Sequence, residues 1–325
     1  MENITENQKN LSGLDQVYFK QKEKLFSLYK NNLPQSIILS GGEIELLSDI
    51  AKSFSELIVK INTDQTFEDF LNICADGDHK KSPFVYMITK IYIEDKKRYK
   101  NQIYRDDISN VHTFFKTKDD INQKRVCIIN IIDDLSIEAN NSLLKLIEEP
   151  NKNSHFIIIN QNKAKVLQTI KSRSYFLNFN KLNEETFFKN LNSDISFNKN
   201  DLFNLTNGSL SLSRKFINHE LYEIQDHFRE LLNDRKLIKS NTASHYSNFI
   251  SKMFTKDEDI SIFFDYIFLI TSCELKTMAK QGKEREVLNL LKISEIVKTY
   301  RNYFKSLNLD YTALIVSLFY KIKNV

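Results

Sequence analysis

A chain of 325 residues with 41% apolar side chains has room for two or three domains and a sizeable core. Only six glycines and three prolines are present, so tight turns are scarce and a helix-rich chain is expected. The net charge of +4 permits contact with nucleic acid without arguing for it, and excludes a strongly polycationic binder. Cys74, Cys127 and Cys273 stand singly, with no C-x-x-C pair. That excludes a structural zinc site of the usual spacing and a disulfide scaffold, and fits a reducing cytoplasm.

Residues 1–15 are polar and read as a flexible tail without the apolar core of a signal peptide. Leu25, Phe26, Leu28 and Tyr29 predict a short amphipathic helix that Pro34 stops. SIILS is the first strand, and residues 45–60 return to helical spacing after it, with apolar residues from Leu46 to Ile58 on one side. VYMIT predicts a strand, and DDISNVHTFFKT a helix with Ile108, Val111, Phe114 and Phe115 on one face. RVCIINI and HFIIIN are continuous apolar runs of the kind buried on both faces of a parallel sheet. Between them, SIEANNSLLKLIEE predicts a helix capped by Ser136 and closed before Pro150. FLNF is strand-like.

Beyond about residue 180 the strand signals cease. NEETFFKNL and KNDLFNLTNGSLSLSRKFI read as small helices around a turn at Gly208. Ile260–Cys273 is apolar but interrupted by Asp265, too short to span a bilayer, and reads as a buried helix. Val287, Leu288, Leu291, Ile293, Ile296, Val297, Tyr300, Phe304 and Leu307 predict a further helical stripe. The expected organisation is an α/β domain over residues 16–180, a parallel sheet with helices on both faces. A small helical domain over 181–215 and an all-α bundle over 216–325 follow.

Three stretches bear on chemistry. The apolar run ending in Gly41-Gly42 suggests a phosphate-binding loop, G-x-x-x-x-G-K-S/T. Counted from Gly41, Leu46 falls where the second glycine belongs, Leu47 where the lysine belongs, and only Ser48 fits. In RVCIIN the acidic pair that would hold magnesium and activate water is replaced by Asn130 and Ile131, with Asp133 and Asp134 three residues late. Asn is a poor partner for Mg²⁺ and Ile cannot act as a base. From these residues alone, a plain buried strand with a capped helix after it is the simpler reading. Ser172-Arg173, between a short helix and FLNF, offers a planar guanidinium suited to phosphoryl oxygens; alone, an idle surface arginine is the simpler reading.

Six dispersed histidines show no metal spacing, and EDKKRYKNQIYR, residues 94–105, reads as a solvated loop or strand edge before it reads as a DNA contact.

The order LPQSIILSGG, RVCIIN, EANNSLLKLIEEP, HFIIIN, TIKSRS resembles the delta-prime family of the bacterial DNA polymerase III clamp loader, in the AAA+ superfamily. The resemblance covers about residues 18–180. Ala139, Asn141, Leu143, Leu144, Lys145, Leu146, Glu148, Glu149 and Pro150 match the family's A-N-A-L-L-K-x-L-E-E-P, nearly in register. Thr169 to Ser174 match T-I-R-S-R-C.

The resemblance implies an AAA+-like P-loop domain, a helical lid and a helical collar. It implies a degenerate Walker A at Gly41, Gly42, Leu47 and Ser48, a degenerate Walker B at Asn130 and Ile131, and Asn160 at the polar sensor position. The sensor-two arginine would fall near Leu212, with Arg214 out of register. No cofactor or metal of its own is expected. Arg173 with Ser172 would serve in trans the ATP and Mg bound by a neighbouring motor (gamma/tau) subunit. The implied partners are the motor and delta subunits and, through the complex, the sliding clamp and primer-template DNA, with no membrane. Two alternatives remain: a clamp-loader-like AAA+ ATPase with atypical motifs, and a purely structural interaction subunit.

Overall fold

The computed structural model describes residues 17–41, 43–60, 64–76, 79, 82–93, 98–100, 102–116, 123–161, 166–191, 197–239, 241–253, 257–307 and 310–325. For 92–93, 98–99, 253, 257–261, 304–307 and 311 the description is of the backbone alone. The tail expected over 1–15, and Gly42, lie outside these residues. The chain forms two compact units, Met1–Leu182 and Asn183–Val325.

In the first unit, helix α1 (Phe19–Asn31) leads into strand β1 (Ser36–Gly41), then α2 (Ile44–Val59) and α3 (Phe67–Asp76). Strand β2 (Val85–Ile88) follows, then a short antiparallel pair, β3 (Tyr92–Ile93) and β4 (Arg98–Tyr99), and α4 (Arg105–Lys116). Next come β5 (Arg125–Ile129), α5 (Ile137–Glu148), β6 (Ser154–Asn160), α6 (Gln168–Ser172) and β7 (Tyr175–Phe179). Five strands form one all-parallel sheet in the order β2-β5-β6-β1-β7. This is an AAA+-like α/β sheet.

Every residue of β1, β5 and β6 is buried, which is why their sequences run apolar without alternation. Ile38, Cys127, Ile129, Phe156 and Ile158 form one core with Val111 and Phe115 of α4 and Leu143 and Ile147 of α5. Burial pushes the Cys127 thiol above its ordinary range, so it stays a neutral core residue. Ser136 caps α5 as its sequence suggests, accepting from the Ala139 N–H at 3.2 Å.

Sequence reading passed over α3. Its signal is TFED: the Thr66 N–H donates to the Asp69 carboxylate at 2.7 Å, and the Asp69 N–H donates to the Thr66 hydroxyl at 3.1 Å. That is a capping box. These bonds, backbone first, hold the Asp69 carboxyl below its ordinary range.

The second unit is helical throughout its described residues. It holds α7 (Glu184–Lys189), α8 (Lys199–Thr206), α9 (Leu210–Asn218), α10 (Gln225–Asn233), α11 (Thr242–Met253), α12 (Asp257–Lys280), α13 (Glu284–Leu307) and α14 (Tyr311–Lys323). Helix α8 ends on Asn207, at φ 54°, and Gly208, at φ 78°; Ser209 then caps α9 through the Leu212 N–H at 3.2 Å.

The stripe expected on α13 is partly corrected. Leu290, Ile293, Val297 and Tyr300 are its buried face, while Leu288 and Leu291 are 61% and 46% exposed. Buried positions step by three or four residues, and Leu288 and Leu291 stand to one side of that track. The side chains of Phe304 and Leu307 lie outside the described residues. Among the described residues no helix is long and apolar enough to cross a membrane.

Candidate functional site

In a parallel sheet, ligands sit at the carboxyl ends of the strands. Here that edge collects Gly41 at the end of β1, Asn130 just after β5 and Asn160 at the end of β6. Strand β1 ends at Gly41 and α2 begins at Ile44, so only Gly42 and Glu43 stand between them. Leu46, Leu47 and Ser48 are therefore residues of α2, not of a loop. Leu47 is fully buried, packed into the unit's interior where a phosphate-binding lysine would need to be free.

Glu43 takes the N-cap position of α2 and is itself buried. A helix N-terminus favours anions, but a carboxylate already fixed there opposes a second, larger anion. Beside it stands Tyr18, whose ring meets Phe179 edge-on at 5.0 Å. Burial, and after it the Glu43 carboxylate, push the Tyr18 phenol well above its ordinary range.

Gly41 is needed for packing. A Cβ there would lie 2.6 Å from the Phe179 carbonyl oxygen of the adjoining β7. Gly41→Ala is therefore expected to cost about 1–3 kcal/mol, since β7 must shift to admit the methyl. Thermal unfolding of the full chain followed by circular dichroism checks this, and an unchanged midpoint contradicts it.

Of the two asparagines at this edge only Asn160 has a side-chain bond among the described residues, and the buried side-chain oxygens of both have no hydrogen-bond partner there. Asn160 is fully buried and its amide donates to the Ser40 hydroxyl at 3.1 Å. The Asn130 backbone N–H donates to the Ile88 carbonyl at 3.0 Å. The two late aspartates are tied by neighbours far away in sequence. Asp134 pairs with Lys90 at 2.7 Å, and Asp133 accepts from the Gln161 N–H at 3.0 Å. Among the described residues no group of three or more metal-ligating side chains comes together.

Arg173 lies at the other edge of the sheet. It follows α6 and precedes β7, whose first residue, Tyr175, is in register with Ile37 near the start of β1. The adjacent Ser174 hydroxyl is 2.8 Å from that of Ser36, the first residue of β1. From Ser36 to Gly41 the strand rises roughly 17 Å. Within this chain, the arginine and the strand-end cluster are thus at opposite ends of β1.

The guanidinium of Arg173 is half-exposed and held on one side. Its Nη1 donates to the Thr169 carbonyl at 3.1 Å and to the Ser172 hydroxyl at 3.4 Å. Its Nη2 is 3.1 Å from a carboxylate oxygen of Glu148. Ser172 itself donates to the Thr169 carbonyl at 3.0 Å, so its hydroxyl steadies the arginine. Sequence reading missed Glu43, Tyr18 and the pairing of Glu148 with Arg173. Glu43 directly follows the glycine pair and was legible; the other two depend on distant contacts.

In the second unit, Leu212 and Arg214 both lie on α9. The fold also brings together two histidines that sequence keeps apart. The His227 and His245 rings meet edge-on at 5.2 Å, and His227 Nδ1 lies 3.2 Å from the Tyr246 hydroxyl. Burial first, then His245, lowers the His227 pKa.

The sheet, the helix rising from β1 and the divided placement of the edge cluster and the arginine define an AAA+-like domain. A family model described as "DNA polymerase III, delta subunit" matches residues 20–183, just over half of the chain. The chain belongs to this family, the delta/delta-prime family of the clamp loader. Among solved structures, a gamma subunit-related protein of DNA polymerase III from Thermotoga maritima is similar at 16% identity, over 94% of this chain and 99% of that one, with a TM-score of 0.48. No curated protein matches.

Proposed function

We propose that this chain is a non-hydrolysing, delta-prime-like subunit of the DNA polymerase III clamp loader. Its Arg173 serves the ATP and Mg²⁺ held by a neighbouring motor subunit of the gamma/tau kind. It assembles in the cytoplasm with motor and delta subunits, and the complex loads the sliding clamp on primer-template DNA. The observation that carries this reading is the separation of the two ends of β1. A half-exposed arginine stands at one edge, and at the other edge Leu47 is buried where the motif calls for a lysine and the buried Glu43 stands at the N-cap of α2. The distance of this arginine from its own strand-end site supports a role at another subunit's, where a guanidinium supplied in trans accelerates phosphoryl transfer by about 10³ to 10⁵.

In this reading residues 181–215 are the lid and 216–325 the collar. Exposed apolar side chains on α13 and α14, Leu288, Leu291, Val316 and Tyr320, support a subunit contact there. The isolated chain is expected to bind no MgATP. Titration calorimetry at micromolar to near-millimolar nucleotide checks this, and a saturable heat of micromolar affinity sinks the non-hydrolysing assignment.

A further inference from the structure

Given the trans role proposed above for Arg173, we infer that Glu148 is its positioning residue, a carboxylate that fixes the guanidinium while leaving one of its edges open to an oxyanion. The two side chains come from separate elements. Glu148 is the last residue of α5, and Arg173 caps the end of α6. They meet at 3.1 Å through Nη2, with 43% and 44% of their side chains exposed.

A guanidinium has five N–H donors. The Nη1 group donates to acceptors of its own helix, the Thr169 carbonyl and the Ser172 hydroxyl. Glu148 stands against Nη2 as an ion pair at 3.1 Å, and among the described residues no hydrogen-bond acceptor is recorded at Nε or Nη2. The Nε–H and the adjoining Nη2–H lie side by side, a fork of the geometry that binds a phosphoryl oxygen pair.

The position of Glu148 also needs an account. A carboxylate in the last turn of a helix lies against the negative end of the helix dipole. Arg173 is the cation that offsets it. An exposed ion pair adds little to the stability of the fold, so the consequence of removing Glu148 falls on where the arginine points. Arg173 hangs from a helix of only five residues by a long side chain. Without Glu148 it keeps contacts to its own helix alone, and its free fork samples more directions. Small misplacements of a group that acts on a transition state are costly in rate.

The test uses clamp-loader complexes rebuilt with full-length chains: wild type, Glu148→Ala, Glu148→Gln, Arg173→Ala and the Glu148→Ala/Arg173→Ala double variant. Steady-state ATPase is measured with clamp and primed DNA, beside thermal unfolding of each isolated chain. Glu148→Ala is expected to lower the Arg173-dependent part of kcat about tenfold, with KM for ATP and the unfolding midpoint unchanged. Glu148→Gln, which keeps an acceptor oxygen, loses less. In the Arg173→Ala background, Glu148→Ala changes nothing further, because the positioned group is gone. Equal losses in both backgrounds make Glu148 structural and overturn the inference. An unchanged or raised rate for Glu148→Ala, beside a loss for Arg173→Ala, overturns the positioning role and leaves the trans arginine standing. An unchanged rate for Arg173→Ala removes the trans reading itself, and the role of Glu148 with it.

Discussion

Leu47→Lys destabilises the chain and creates no nucleotide site. The substitution restores the residue that the phosphate-loop pattern calls for, yet the side chain at 47 points into the interior and is fully buried. An ammonium there loses its hydration, and the buried Glu43 carboxylate one turn earlier offsets only part of that loss. The cost is expected to be about 3–5 kcal/mol, a large part of the roughly 5–15 kcal/mol that holds a domain folded. The backbone adds a second obstacle. A lysine at the fourth residue of a helix cannot act with a phosphate loop when only two residues separate that helix from β1, since α2 starts at Ile44. Differential scanning calorimetry checks the first half of the prediction, with a fall in the unfolding midpoint of roughly 10 °C. Calorimetric titration with MgATP checks the second. A variant with an unchanged midpoint and measurable ATP affinity contradicts both.

The larger effect belongs to Arg173→Ala, and it is expected only in the assembled complex. In the isolated chain the side chain makes a half-exposed ion pair with Glu148 and bonds within its own helix. Losing them changes stability by about 0.5 kcal/mol or less. At the neighbouring ATP the loss could approach 10³-fold, about 4 kcal/mol of transition-state stabilisation. Other sites in the complex would keep their own arginines, so the total steady-state rate falls less unless the sites fire together. Arg173→Lys is expected to rescue poorly, because a point charge lacks the fork geometry. Steady-state ATPase of complexes checked for equal assembly is the measurement. Lysine restoring the full rate would mean that charge alone suffices.

Much of the first unit was legible. Strands β5 and β6 announce themselves as unbroken apolar runs because both faces of each are covered. The cap at Ser136 is local chemistry, so it reads directly. The bounds of α2 were legible to within a residue from periodicity alone, although Glu43 gives it no side-chain cap. On α13 the apolar residues of EREVLNLLKISEIVKTY crowd more than one face, and only the neighbouring helices decide that Leu290 is covered and Leu288 is not. The late aspartates give no local sign of their partners, Lys90 and the Gln161 backbone, which are far away in sequence. Glu148 and Arg173 belong to different helices, and nothing local to either motif marks their contact.

The most direct test of the central claim, an arginine given in trans by a chain that holds no ATP of its own, is a single-turnover count. Rebuilt complexes carrying wild-type or Arg173→Ala chain are loaded with MgATP, then triggered with clamp and primed DNA. The phosphate released in the fast phase is counted per complex. The account predicts that the fast phase loses the equivalent of one ATP with Arg173→Ala, and that this ATP is hydrolysed slowly afterwards. A fast phase of the same amplitude and rate in both complexes would contradict it and leave this chain as a scaffold.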